Sequence, residues 1–220
     1  MLLAIDSSAG ASAAVVHDAQ VRASWRTDAT TTHAEVLAGA VRDVMAQAGV
    51  TGAQLDAVVV GVGPGPFTGL RVGLVLAHSL AEVWGAPLHG ICSLDSLARR
   101  AVAHSAAGAS TDSEFLVATD ARRREVYWAR YRAVENLEGP QVGPAAELPE
   151  LPAVGVGVSL YPEQLRLPDG APEEAASWTA DAAELGLIAE ERPQLLRDPA
   201  PLYLRESDAK PPVRRKKATT

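Results

Sequence analysis

A Gly- and Pro-rich segment near residues 61–67 lies where a phosphate-binding loop would be expected. It separates the apolar runs 55–62 and 68–84, and free backbone N–H groups at a helix N-terminus bind anions. Its two prolines have no N–H to donate, however. The segment also lacks a Gly-Lys-Ser/Thr ending and the spacing of a dinucleotide-binding loop. We therefore interpret it as a rigid structural turn, with Thr68 as the N-cap of the following helix.

Two carboxylates follow strand-like segments and are the candidate ligand-binding groups. Asp6, Ser7 and Ser8 end the first such segment, and Asp120 ends a later one. The Asp6 carboxylate either orients a metal-bound water or accepts a backbone hydrogen bond; alternatively, these three residues close a strand and form a turn. Asp120 has the same alternative, a turn residue before Arg122. These residues outline a possible degenerate nucleotide cleft.

The sequence predicts neither a metal site nor an activated nucleophile. Two histidines at i and i+4 on one helix can share a metal, but Leu37 stands four residues after His33. The other histidines show no ligand spacing with one another. Cys92 has no neighbouring signature that would activate it, and a small buried thiol is the usual outcome. We therefore predict no catalytic residue, no metal and no cofactor.

Composition is typical of a cytoplasmic protein. The 220 residues are 47% hydrophobic and 21% charged, with a formal net charge of -7, which disfavours a nucleic-acid surface across the body of the protein. One cysteine indicates a reducing compartment. Neither a signal peptide nor a membrane span is visible. Basic residues are concentrated near the end of the chain, at Lys210, Arg214, Arg215, Lys216 and Lys217.

The order of predicted elements indicates an α/β fold. Three strands are followed by helix, strand, helix, strand and helix, which is the order of an RNase H-like or actin-like (ASKHA) lobe. A low-complexity boundary precedes a hairpin that begins a second lobe, so each lobe has a mixed sheet flanked by helices. The predicted divisions are an N-terminal lobe 1–108, a smaller degenerate lobe 109–208 and a disordered basic tail 209–220. Periodicity is poor over 139–174, although 154–158 resembles a strand.

The predicted helix 68–84 carries apolar or small residues over an arc of about 200°, more than one sheet needs. Gly69, Gly73 and Ala77 form a small-residue stripe at spacing four, which would let another helix approach closely. Periodicity alone favours equally a helix buried inside this chain and a helix that meets a partner.

Several segments together resemble the TsaB family, also called YeaZ. The long motif GVGPGPFTGLRVGL at 61–74 is the most specific of them. AIDSSAGASAAVV, HAEVL, ATDARRREVYWARY and PLYLR match the same family in the same order, so the resemblance extends from residue 1 to about residue 205. It implies a partner subunit in bacterial threonylcarbamoyl-adenosine tRNA modification.

The resemblance implies a non-catalytic role. TsaD-type enzymes carry the two histidines at i and i+4, and Leu37 departs from that pattern. The implied partners are a TsaD-type subunit and a TsaE-type ATPase, which together modify N6 of adenosine 37 in tRNAs that read codons beginning with A. The tRNA is reached through the complex, and no membrane is involved.

TsaB-like proteins use their first-lobe helices to pair with TsaD, and can self-pair there when alone. The predicted interface consists of His33, Val36, Leu37, Ala40, Gly69, Leu70, Val72, Gly73, Leu76, Ala77 and Leu80. An ATP-dependent kinase or ATPase that uses Asp6 and Asp120 is the first alternative. A peptidase is the second.

Overall fold

A computed structural model describes residues 1–27, 33–104 and 113–205. The strands are β1 Leu2–Asp6, β2 Ala11–His17, β3 Gln20–Thr27, β4 Ala57–Gly61, β5 Leu88–Ile91, β6 Glu114–Asp120, β7 Glu125–Arg132, β8 Glu135–Pro144 and β9 Ala153–Val154. The helices are α1 His33–Ala48, α2 Phe67–Trp84, α3 Ser93–His104, α4 Val156–Leu160 and α5 Ala182–Glu191.

The first sheet has the strand order β3-β2-β1-β4-β5. β1, β2 and β3 form an antiparallel meander, and β4 and β5 run parallel to β1. Side chains alternate between the two faces of a strand, and both faces are covered here. Leu3 and Ile5 pack with α1 and α2 on one face, whereas Ala4 and Val59 pack with α5 on the other. This double covering explains why β4 is a continuous apolar run.

The second sheet has the order β8-β7-β6-β9, with β9 parallel to β6 and the other pairs antiparallel. Val117 and Tyr131 face α3, in a cluster that includes Leu97 and Trp178. The opposite face packs on α4 and the segment around Leu165. The two mixed sheets flanked by helices confirm the predicted α/β, actin-like fold class.

Helix α5 returns to the first sheet, so packing does not follow the predicted division at residue 108. Leu185 and Ile188 lie in one cluster with Ala4 and Ala14. Arg99 of α3 also forms ion pairs with Glu184 and Glu191 of α5, at 2.6 and 2.7 Å. The predicted second lobe 109–208 therefore contains a helix that belongs by contact to the first.

Two local predictions are wrong. Helix α2 begins at Phe67 after Pro66, and Thr68 is an exposed residue of the first turn rather than its N-cap. The strand predicted over 154–158 ends at Val154. Gly155 has φ +103, and a Cβ there would lie 2.5 Å from the carbonyl oxygen of Ala118, so the chain turns away from the sheet into α4. The predicted disordered tail 209–220 lies outside the described residues.

Within the described ranges, no helix is both long and apolar enough to cross a bilayer.

Candidate functional site

The Asp6 carboxylate is the centre of a buried hydrogen-bond cluster at the end of β1. Its Oδ1 accepts from the amide and hydroxyl of Ser8 at 2.9 and 2.7 Å. Its Oδ2 accepts from the hydroxyl of Ser93 at 2.6 Å, and that hydroxyl oxygen accepts from the amide of Gly63 at 3.1 Å. Burial raises the pKa of Asp6, against the opposing effect of these hydrogen bonds. The cluster thus ties the Gly/Pro loop to β1 and to the start of α3.

Ser7 joins β1 to α2 through an unusual arrangement. Its hydroxyl donates to the carbonyl of Gly69 at 2.8 Å and accepts from the amide of Gly73 at 3.0 Å. These two backbone groups are an i, i+4 pair of the helix. A Cβ at residue 73 would lie 2.4 Å from the Ser7 Oγ, so this close approach requires glycine.

The predicted cleft residues form hydrogen bonds within the chain. Asp6, Ser7 and Ser8 are buried and bonded within the chain, which supports their interpretation as a strand-closing turn. Asp120 lies on the second sheet, where its Oδ1 accepts from the amide of Arg122 at 2.7 Å and its Oδ2 pairs with that guanidinium at 3.1 Å. Asp120 is thus also a turn residue.

The candidate residues for metal binding and nucleophilic chemistry are His33 and Cys92. The side chain of His33 lies outside the described residues, and Leu37 is buried in the first core. In the part of the chain that the structure describes, no three His, Cys, Asp or Glu side chains form a metal-binding group. Burial, with a smaller effect of the Asp95 charge, raises the pKa of the Cys92 thiol, so this thiol is protonated at neutral pH and a poor nucleophile.

The small-residue stripe on α2 faces the chain's own sheet, which corrects part of the predicted interface. Gly73 approaches Ser7 of the first lobe, and Ala77 is fully buried in the first core. The covered residues of the predicted interface are Leu37, Ala40, Leu70, Gly73 and Ala77. The partly exposed ones are Val36, Gly69, Val72, Leu76 and Leu80.

The opposite side of α2 exposes large apolar side chains. Phe67, Val75 and Val83 are 41, 65 and 78% exposed. Phe67 stacks on Tyr203 with ring centroids 4.8 Å apart, and the Arg71 guanidinium lies 3.7 Å from the centroid of the Phe67 ring. Arg71 Nε also donates to the Tyr203 hydroxyl at 3.2 Å. This stack fixes an aromatic and cationic group at one end of an exposed apolar stripe.

A groove of about 540 Å³ lies beside that stack, between α1 and α2. Ala38 lines one side, and Val72, Val75 and Leu76 line the other. Together, the groove, the stack of Phe67, Arg71 and Tyr203, and the exposed α2 residues Val75 and Val83 form what we call the α2 surface.

Sequence reasoning missed Phe67, Arg71, Val75 and Tyr203 as members of this surface. Arg71 appears on the polar side of the helical wheel, which by itself indicates solvent exposure. Val75 lies next to it on that side. An apolar residue within a polar helix face can indicate an exposed binding surface, and this was the only signal in the local pattern. The contact of Tyr203 with α2 spans most of the chain, so no local pattern could have revealed it.

The chain is similar to known proteins over most of its length. Residues 27–165 match the family model described as TsaD, tRNA N6-adenosine threonylcarbamoyltransferase. The Escherichia coli tRNA threonylcarbamoyladenosine biosynthesis protein TsaB is 34% identical over 136 residues, which cover 61% of this chain and 56% of that protein. The chain belongs to the TsaB (YeaZ) family.

Relatives of this TsaB-family chain extend over almost its full length. An uncharacterized protein of Mycobacterium tuberculosis is 40% identical over 223 residues, covering 96% of this chain and 94% of that protein. The crystal structure of YeaZ from Pseudomonas aeruginosa superimposes with a TM-score of 0.73 at 28% identity, covering 92% of this chain and 99% of that chain.

Proposed function

We propose that this TsaB-family chain is a non-catalytic subunit of a complex that makes threonylcarbamoyladenosine in tRNA. In this proposal it pairs with a TsaD-type enzyme and works with a TsaE-type ATPase, and the complex modifies N6 of adenosine 37 in tRNAs that read codons beginning with A. The observation that carries the proposal is the exposed α2 surface, in a chain whose polar clusters are bonded internally.

The polar clusters support the non-catalytic part of the proposal. Both Asp6 oxygens accept hydrogen bonds inside the protein, and the carboxylate is buried, so it is not positioned to hold a metal–nucleotide complex. Leu37 occupies the place of a second histidine and is part of the core. If purified protein hydrolysed ATP and Asp6→Ala abolished that turnover, the non-catalytic assignment would be wrong.

The α2 surface supports the pairing part. Aromatic residues and arginine are enriched at the energetic centres of protein interfaces, and the stack holds Phe67, Arg71 and Tyr203 in place before a partner arrives. A preorganised side chain loses less conformational entropy on binding. A TsaD-type subunit that lays a helix into the α1–α2 groove would cover the exposed Val75.

The same surface suits self-pairing when the TsaD-type subunit is absent. Arg71 and Glu82 are both exposed and lie about three turns apart on α2. Two copies of α2 packed antiparallel around a two-fold axis would place Arg71 of each copy beside Glu82 of the other, as an isologous interface requires. Homodimer and heterodimer would then compete for one surface.

The test compares substitutions on the two sides of α2. Val75→Arg places a charge on the exposed side, so we expect circular dichroism and melting temperature to be unchanged. The variant should no longer co-purify with the TsaD-type subunit, because an unpaired charge in a buried interface typically costs several kcal/mol. Val21→Arg is the matched control, because Val21 is an exposed valine on β3, and it should bind normally.

Ala77→Arg gives the complementary result. Ala77 is fully buried in the first core, so the arginine should prevent folding rather than selectively block binding. If folded Val75→Arg protein bound the TsaD-type subunit as well as the Val21→Arg control, the α2 surface would not be the interface.

A further inference from the structure

The turn between β6 and β7 has a conformation that its residues do not favour. The amide of Ala121 donates to the carbonyl of Glu125 at 3.1 Å, and the amide of Glu125 donates to that of Arg122 at 3.0 Å. Between them, Arg122, Arg123 and Arg124 have φ of +60, +55 and +65. Glycine and asparagine adopt this left-handed region readily, whereas arginine does so at a cost. The turn conformation therefore does not explain three arginines.

Contacts within the protein do not explain all three arginines either. Their side chains are exposed. Arg122 pairs with Asp120, and Arg123 also interacts within the chain. Arg124 is exposed, and no hydrogen bond or ion pair involves it among the residues that the structure describes. Glu125, the next carboxylate along the chain, forms an ion pair with Arg205. The turn, which we call the Arg tip (Arg122–Arg124), therefore keeps an excess of positive charge in a chain whose net charge is -7.

Other arginines of the same sheet are neutralised. On β7, Arg130 pairs with Glu114 and Glu138 at 3.5 and 3.2 Å, and Arg132 pairs with Glu114 at 2.6 Å. Those carboxylates lie on the neighbouring strands β6 and β8. The contrast within one hairpin is therefore between these arginines, which pair across the strands, and the exposed Arg124 at its end.

We propose that the Arg tip contacts the phosphate backbone of RNA. Guanidinium groups bind phosphate through paired N–H donors, and adjacent side chains at the end of a hairpin can reach successive phosphates without an enclosing pocket. A mononucleotide ligand, in contrast, needs a concave site. This inference goes beyond the proposed function, in which RNA is reached through the partner enzyme.

The experiment measures binding of an unmodified tRNA transcript by fluorescence anisotropy, at about 50–200 mM salt. It uses the full chain alone and the full chain assembled with its TsaD-type partner. Arg122→Gln, Arg123→Gln and Arg124→Gln together should weaken binding at least tenfold at the lowest salt. They should also lower the slope of log affinity against log salt by about two, since each phosphate contact contributes about 0.7–0.9.

Three further variants separate local contacts from net charge and from backbone strain. Arg22→Gln removes one charge from an exposed position on β3 and should change affinity less than twofold. Arg124→Gly should raise the melting temperature by about 2–4 °C, because it relieves a positive φ, while still weakening RNA binding. Ala133→Gly relieves another positive φ of +50 and should raise the melting temperature without changing RNA affinity.

Four results would overturn the inference. The first is a folded triple variant that binds tRNA with unchanged affinity and salt slope in both preparations, and the second is an equal loss with Arg22→Gln. The third is Mg–ATP binding by the free chain that the triple variant lacks, which would assign the tip to a mononucleotide. The fourth is loss of co-purification with the TsaD-type subunit, which would assign it to a protein interface. Because tRNA binding is also measured with the free chain, failure of the unmodified chain to assemble with the TsaD-type subunit would count only against the proposed function.

Discussion

Asp95 shows how one buried side chain links the first turn of α3 to the second sheet. Its Oδ1 accepts a hydrogen bond of 2.6 Å from the hydroxyl of Tyr131 on β7. Burial raises the pKa of Asp95 to about 6, although this hydrogen bond and the charge of Arg197 act in the opposite direction. The charge of this carboxylate also contributes to the raised pKa of the Cys92 thiol. The protein therefore holds a carboxyl group that is partly protonated near pH 6.

Asp95→Asn should remove a pH dependence of stability. Because the pKa is higher in the folded state, the contribution of Asp95 to stability is fully present below about pH 4, falls as the pH rises to about 6, and is constant above that. The change from 3.8 to about 6 corresponds to about 3 kcal/mol. Urea unfolding between pH 4 and pH 7 should show this decline in the wild type and not in the variant. Asp43→Asn, an exposed control on α1, should keep the wild-type slope; an unchanged slope in Asp95→Asn would contradict the assignment.

Helix α2 shows which parts of an element could be predicted from its sequence and which could not. Its existence, length and apolar arc followed from periodicity, because a 3.6-residue repeat is a local property. The residues that pack against each side of the helix are distant in sequence and could not be predicted: Gly73 contacts Ser7, and Phe67 contacts Tyr203 near the other end of the chain. Likewise, the return of α5 to the first sheet depends on long-range packing.

Replacement of Gly73 by alanine tests the contact between α2 and β1. The new Cβ would lie 2.4 Å from Ser7 Oγ, so Gly73→Ala should lower the free energy of unfolding by about 1–3 kcal/mol. Gly39→Ala on α1 is the matched control, because a Cβ there meets no atom within 4 Å, and it should stabilise the helix by up to ~1 kcal/mol.

A double-mutant cycle identifies the atom responsible. Ser7→Ala removes the clashing oxygen together with its two hydrogen bonds. The double variant Ser7→Ala, Gly73→Ala should therefore lose less stability than the sum of the two single changes. Simple additivity in urea unfolding would show that Ser7 does not determine the requirement for glycine.

At the scale of the whole molecule, the segment 196–205 holds the two sheets and the α2 surface together. Arg197 exchanges two backbone hydrogen bonds with Gly90, at 2.8 and 2.9 Å, along the free edge of β5, and the amide of Leu202 donates to the carbonyl of Val62 at 2.8 Å. Leu202 packs against both the first core and the cluster under α3. Arg205 then pairs with Glu125 of the second sheet. One segment thus covers a sheet edge, contacts the Gly/Pro loop and supplies Tyr203 to the proposed interface.

Removal of this segment should therefore reduce stability and uncover an edge of the first sheet. A chain truncated after Leu196 loses three backbone hydrogen bonds, worth about 1 kcal/mol each, and the burial of Leu202, worth about 1–2 kcal/mol. We expect urea unfolding to show a loss of several kcal/mol, and light scattering to show association through the uncovered edge of β5. Truncation after Arg205 is the matched control: it removes the basic tail but keeps the segment, and should leave both measurements unchanged. Equal stability of the two truncated chains would mean that the segment contacts both sheets without stabilising the fold. The role of Tyr203 at the α2 surface would then have to be tested by Tyr203→Ala alone.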